Sequence, residues 1–426
     1  MVPNRFANEL RNRTELSFNQ ALAKDFFPSY PGFEPFKFIT SDDSPIQQTA
    51  RVRLTQSLNL VTPALVEETT AAVHDVFGED LEWHATLLKQ DILHLVARLT
   101  SRVFLGKPLC RNEQWLDIAK NYTVDCVVAA QKMRAIPALF RPVYYWFTTE
   151  CTRLRTHVRK ARELIAPEVE LRKQRAQQAL AAGNKPPQTE DAIGWMYEVA
   201  HGRDIDYVAG QLSLTIVAVH TTTVALTHAI VDLCKNPEAI VPLREEVVTV
   251  LSKHGWTKGS LQKLRLMDSF LKESQRCNPH ESTSMHSVAQ RAITLSDGSC
   301  IPAGARIVVA GAYQDPSVYE NPESFEPFRF VDDADAEAGG TNSWGYVATN
   351  AKHMGFGFGV HACPGRFFAA NEIKVALCHL LMKYDFEMIE GEEPKTFSFE
   401  TSRFLDPLCR VSIRRIEEVT GIGLDG

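Results

Sequence analysis

Along most of this chain, apolar residues recur every three or four positions, the spacing that gives an α-helix one continuous apolar face. Within residues 45–105 the stretches TPALVEETTAAVHDVF and LLKQDILHLVARLTSRVFL follow it with few glycines, and PNRFANELRN mixes apolar and charged residues at the same spacing. Residues 145–180 form a basic helical stretch that ends at AAGNKPPQTED, where Gly, Asn and paired Pro predict a loop or linker. A short helix is expected through GWMYEVA. From Asp206 to about Leu233 one long helix is predicted, stopping before Asn236-Pro237. Residues 237–280 read as helical again. Short β signals appear only after Pro279, in VAQRAITL and ARIVVAGAY, with a turn at SDGS between them. There is no internal repeat and no low-complexity segment. The pattern predicts a mainly α fold with a minor β portion, in a single domain spanning 1–426.

Composition narrows the function classes. The 426 residues are 44% hydrophobic and 23% charged, enough for a sizeable core. The net charge of -6 speaks against a nucleic-acid binder, which carries a basic excess. Nine cysteines are scattered with no CxxC pair, which reads as free thiols in a reducing compartment, without a zinc site. The most apolar run, LSLTIVAVHTTTVALTHAIVDL, is interrupted by His220, His228 and threonines, and reads as a buried core helix.

The chemistry concentrates at residues 356–366, FGFGVHACPGR. Cys363 stands among glycines, just ahead of a helical run. A thiolate can ligate haem iron and push electron density onto it. Such a sulfur needs backbone N–H groups nearby, and Gly357, Gly359 and Gly365 let the chain fold tightly around it. A following helix N-terminus favours an anion. His361, two residues before the cysteine, is placed to reach a haem propionate.

Phe356, Gly357, Gly359, His361, Cys363 and Gly365 together resemble the haem-binding signature of the cytochrome P450 monooxygenases, F-G-x-G-x-H-x-C-x-G. Three further stretches carry the resemblance. In LKESQRCNP, Glu273 and Arg276 match the family's E-x-x-R, although charged pairs at this spacing are also common on solvated faces. In NPESFEPFRF, Pro322, Phe325, Pro327, Arg329 and Phe330 resemble the family's aromatic meander. The resemblance implies a buried, fold-locking network of Arg329 with Glu273 and Arg276. In VAVHTTT, Thr221 takes the place of the threonine that hydrogen-bonds iron-bound oxygen species, and Ala218 takes a glycine position. His220 stands where the family has an acid. Histidine exchanges protons near neutral pH, so His220 fits a proton relay, or else a packed core histidine. Thr221 also reads as a hydroxyl bonded to its own helix.

Weaker matches complete the set. PIQQTARVRLTQSL resembles the region where an arginine approaches a haem propionate, with Arg51 the better fit and Arg53 the other choice; either also reads as a surface charge. Ser287 stands where related sequences often have Arg, and His286 is the substitute.

The four main motifs come in the family's order, and the resemblance covers essentially the whole chain. It implies the P450 fold and haem b held by Cys363. It also implies O2 and an apolar small-molecule substrate, with electrons from a separate NADPH-cytochrome P450 reductase. HTT and CPGRFFAANEIK resemble fungal oxygenases of specialised metabolism, such as ent-kaurene oxidase and indole-diterpene or alkaloid oxidases. Val217 and the segment from Ser282 to Met285 are expected to face the substrate. Oxidative coupling, desaturation or isomerisation, and an inactive truncated haem protein, remain the alternatives. MVPNRFANEL resembles the family's second helix. The expectation is therefore a chain without an integral anchor as written, whose full-length form is held at the endoplasmic reticulum, facing the cytosol. A sheet edge left open after Pro279 is expected as well.

Overall fold

The computed structural model describes residues 1–41, 45–185, 190–331, 345–399 and 401–417. It is mainly α with a minor β portion, 59% helix and 11% strand. The residues group into two compact units. The larger comprises Met1–Phe18, Thr62–Val96 and Thr221–Gly426, and the smaller comprises Asn19–Val61 and Ala97–His220.

The helix Tyr207–Lys235, called here the central helix, contributes to both. The side chain of Asp206 starts it by accepting the N–H groups of Val208 and Ala209, both at 3.0 Å. Its end is set by Asn236, whose N–H reaches Asp232 O at 2.9 Å, and by Pro237, which has no N–H to continue the ladder. Ser213, Thr215 and Thr227 donate their hydroxyls to the carbonyl four residues back, which makes polar side chains tolerable on a buried helix. Among the described residues this is the one helix long and apolar enough to cross a membrane, and 67% of its most apolar window is buried within the fold.

In the larger unit the core helix is Arg366–Lys383, buried along nearly its whole length from residue 370. Its second half, residues 375–382, is apolar apart from His379, and such a stretch lies inside. Its Lys374 is carried there by Asp268 Oδ1 and Leu261 O, each at 2.7 Å. One antiparallel sheet joins Leu16–Ser17, Thr283–Ala289 and Arg306–Ala310, with Leu16 opposite Ala289 and Thr283 opposite Ala310. A second joins His84–Leu87, Arg410–Arg415 and Tyr384–Met388. Ile293–Thr294 and Cys300–Ile301 form a hairpin, as do Thr396–Phe399 and Ser402–Leu405.

Two expectations need correction. Strands also occur before Pro279, at Leu16–Ser17 and His84–Leu87. The latter is held by Arg410–Arg415, a pairing too distant in sequence for local periodicity to register. Nor is the sheet after Pro279 left bare. Leu16 and Ser17 pair with Ala289 and Val288, while Val2 donates to Val308 O and accepts from Ala310 N. Val2, Phe6, Leu10 and Leu16 pack with Met285, Val309 and Phe358 in one buried cluster.

In the smaller unit, the helix Glu113–Arg134 runs beside Thr149–Ala181. Asp125 ties them by accepting from Arg153 Nε at 2.9 Å and meeting His157 Nε2 at 3.0 Å. Tyr122, fully buried between them, donates its hydroxyl to Gly32 O at 2.6 Å.

Candidate active site

The loop around Cys363 is built from backbone constraints. Gly357 and Gly359 adopt φ of +75° and +64°, a region that L side chains rarely enter. At Gly359 space is equally strict, because a Cβ there would lie 2.3 Å from Arg11 O. That carbonyl accepts the Val360 N–H at 3.0 Å, and Cys363 N–H closes the loop on Phe356 O at 2.7 Å. The Phe356 ring stands edge-on to Tyr346, with centroids 5.1 Å apart.

Gly365 caps the helix Arg366–Lys383, so Cys363 lies three residues before its first turn. The backbone N–H groups of Gly365 and Arg366 are donors that favour the charged form of Cys363 Sγ. Burial pushes the thiol up from its ordinary value, while these two donors and the Arg366 guanidinium pull it down. Arg366 Nη1 also holds Cys363 O at 2.8 Å. A cysteine in a tight glycine loop at the positive end of a helix, with an arginine beside it, has the surroundings a thiolate ligand of haem iron requires, and the group fits here. The side chain of His361 lies outside the described residues.

The E-x-x-R pair is fully buried. Arg276 grips Glu273 through Nε at 2.7 Å and Nη2 at 2.8 Å, and both side chains are 0% exposed. Arg329 Nε and the Glu326 N–H reach Glu273 Oε1, each at 3.0 Å. The rest of the Arg276 fork donates to the carbonyls of Tyr313, Pro322 and Ser324 at 2.7–2.9 Å. All five N–H directions of the guanidinium are thus used, two on Glu273 and three on backbone carbonyls between residues 313 and 324, which fixes that segment. Lys272 extends the cluster: it is fully buried and its ammonium lies 5.1 Å from the Phe330 ring centroid. Reading the sequence missed it, because a lysine beside an E-x-x-R looks like one more solvated charge.

On the central helix, Val217 is 52% exposed and Thr221, one turn later on the same face, is exposed too, although the neighbouring positions are largely buried. His220 is half-buried and belongs to the smaller unit. Its Nε2 lies 3.0 Å from Lys120 O, and since a carbonyl only accepts, Nε2 carries a proton. Arg51 also lies in the smaller unit, exposed on the single π-turn Thr49–Leu54, and Arg53 pairs with Glu198 at 3.0 Å. His286 Nε2 lies 3.2 Å from Thr283 Oγ1, and Ser287 donates to Met285 O. Of the expected segment Ser282 to Met285, Met285 turns into the core cluster, at a bulge where its φ is +57°.

One polar residue passed unnoticed in the sequence. Asp232, buried on the central helix, accepts Ser274 Oγ at 2.6 Å and Asn278 Nδ2 at 3.0 Å. Burial raises its carboxyl to about 7. The signal was an isolated acid inside the apolar run THAIVDLC.

The cytochrome P450 family model matches residues 7–408, a span that contains the Cys363 loop, the Glu273–Arg276–Arg329 network and the central helix. The chain belongs to the cytochrome P450 family. Among its relatives is cytochrome P450 monooxygenase bsc2 of Alternaria brassicicola, 43% identical over 98% of this chain and 80% of the relative. Another, from Gibberella fujikuroi, is named cytochrome P450 monooygenase 1 and is 41% identical over 99% of this chain and 96% of the relative. The fold is similar to that of a retinoic acid-bound cyanobacterial CYP120A1, with a TM-score of 0.67 at 19% identity, over 97% of this chain and 87% of that one. Membership of the P450 family makes the chain a monooxygenase and implies a haem-thiolate cofactor.

Proposed function

We propose that this P450 hydroxylates or otherwise oxidises an apolar small molecule, of terpenoid or indole alkaloid class, in fungal secondary metabolite biosynthesis. Electrons come from NADPH through a separate cytochrome P450 reductase at the endoplasmic reticulum. The observation that carries the reading is the placement of Cys363 just ahead of the helix Arg366–Lys383, in a loop closed by its N–H on Phe356 O and held by Arg366 Nη1 on its carbonyl.

When bound, haem b supplies the binding of O2 and its reductive activation. Cys363 would hold the iron. Phe356, Gly357 and Gly365 would shape the loop against the ring, and His361 and Arg51 would hold the propionates. The N–H groups of Gly365 and Arg366 and the helix terminus favour a charged sulfur. The exposed face bearing Val217 and Thr221 gives an apolar substrate a greasy contact beside one hydroxyl. Thr221 holds and passes a proton at Oγ1. His220 keeps its Nε2 proton on Lys120 O, so any proton it exchanges moves through Nδ1. Glu273, Arg276 and Arg329 are structural: they touch no reacting atom and lock the meander.

Turnover with reductase, NADPH and isotope-labelled O2 tests the proposal, using terpenoids and indole alkaloids that shift the haem spin state on binding. One labelled oxygen atom in the product is expected. An oxidised product without label would point instead to desaturation or coupling, the reading that His220 in an acid position favours.

A further inference from the structure

We infer that Lys89, His228, His280 and Arg403 form a binding site for an oxyanion, a phosphate or a carboxylate, that shares no residue with the haem site. The four belong to the larger unit and come from separate elements. Lys89 starts the helix Leu88–Phe104, His228 lies on the central helix, His280 follows the helix Arg265–Cys277, and Arg403 lies on the strand Ser402–Leu405.

Backbone pairing brings them together. Glu281 and Ser402 form an antiparallel bridge, and the Arg403 N–H donates to His280 O at 2.9 Å, so His280 and Arg403 lie opposite each other. The His280 ring stands edge-on to Phe404, with centroids 5.5 Å apart. The Lys89 ammonium lies 5.8 Å from the centroid of the same Phe404 ring and 3.4 Å from Leu405 O. His228 meets this group from the central helix. Burial, then the charges of Arg403, His280, Lys235 and Lys89, push its imidazole down to about 4. Burial also lowers His280, against the charge of Glu281.

Within the described residues these groups have no counter-charge. His228 is 5% exposed and makes no hydrogen bond among the described residues, and His280 Nδ1 is buried without a partner. Neither Arg403 nor Lys89 forms an ion pair among the described residues. The nearby acids are engaged elsewhere. Glu281 accepts the hydroxyls of Thr401, at 2.6 Å, and Ser402. Asp406 accepts the Leu408 N–H at 2.9 Å and acts on Lys89 only at longer range. Buried polar groups are nearly always paired, and leaving them unpaired is costly. Two imidazoles alone would suit a metal ion, but the guanidinium and ammonium beside them repel a cation. All four side chains donate to an oxyanion, and a guanidinium does so through two parallel bonds.

Calorimetric titration of the haem-loaded, substrate-free chain with inorganic phosphate and, separately, with acetate tests the proposal. One-to-one binding that weakens with added salt is expected. Binding of phosphate alone marks a phosphate site, and binding of acetate alone a carboxylate site. At about pH 6, between the folded and ordinary values of His228, the bound anion should draw a proton onto the histidine pair. That uptake is read as a heat that changes with the ionisation enthalpy of the buffer. Arg403→Gln and Lys89→Gln should each bind about tenfold more weakly, with melting temperature and carbon monoxide spectrum unchanged. His228→Phe should reduce the proton uptake. No heat with either anion, wild-type binding without proton uptake, or binding that Arg403→Gln and Lys89→Gln leave intact would each overturn the proposal.

Discussion

At Cys363, burial and the local donors act in opposite directions. Desolvation favours the neutral thiol, while Gly365 N–H, Arg366 N–H and the Arg366 charge favour the thiolate. The net shift is upward, and a haem iron bound at the sulfur would favour the thiolate. Thr221 sits on the exposed face of the central helix. Thr221→Ala should keep haem and substrate binding yet release peroxide in place of product, read by comparing NADPH consumed with product formed. Full coupling would make Thr221 a packing residue. For His220→Ala, an altered pH profile of turnover is expected, and an unchanged rate and profile would make His220 a packing residue. Asp232 gives a pH dependence with a definite sign. Its folded carboxyl is raised from 3.8 to about 7, so between those values the folded state holds a proton that the unfolded chain has lost. Stability from this group therefore falls as pH rises through that window. Asp232→Asn should flatten the dependence, and calorimetric melts on either side of about pH 7 check it.

Among the elements, the helix Arg265–Cys277 and the meander are joined through one carboxylate. Removing either partner of a buried ion pair strands the other charge, at about 3–5 kcal/mol. That is a large share of a typical total of about 5–15 kcal/mol. Glu273→Ala or Arg276→Ala should leave little haem-loaded protein, measured by haem absorbance against protein concentration; normal loading and melting would contradict the buried network. Gly359→Ala would combine a φ of +64° with a Cβ 2.3 Å from Arg11 O, and should lower both haem loading and melting temperature. The central helix was legible because its stop signals are local: Asp206 caps it and Asn236-Pro237 ends it. His84–Leu87 was not, because only its pairing with Arg410–Arg415 makes it a strand. The same holds for Leu16–Ser17, whose partner lies at Val288 and Ala289.

For the whole molecule, sequence order carried more than composition. The threonine helix, the E-x-x-R, the meander and the cysteine loop are far apart in the chain, and each was readable as a short motif. Their environments were legible in part: the resemblance implied the buried network of Glu273, Arg276 and Arg329. That Lys272 shares their cluster and that Met285 turns into the core follow from packing between distant segments. Arg51 shows the converse, since a plausible local match gives an exposed side chain whose role the motif alone does not define. The central claim is thiolate ligation of haem by Cys363. Its most direct test is the absorbance difference spectrum of the reduced protein with carbon monoxide, recorded for wild type and Cys363→Ser. The expected result is the red-shifted Soret band of a thiolate ligand in wild type and its loss in the variant. The same band in Cys363→Ser, or none in haem-loaded wild type, would contradict the assignment.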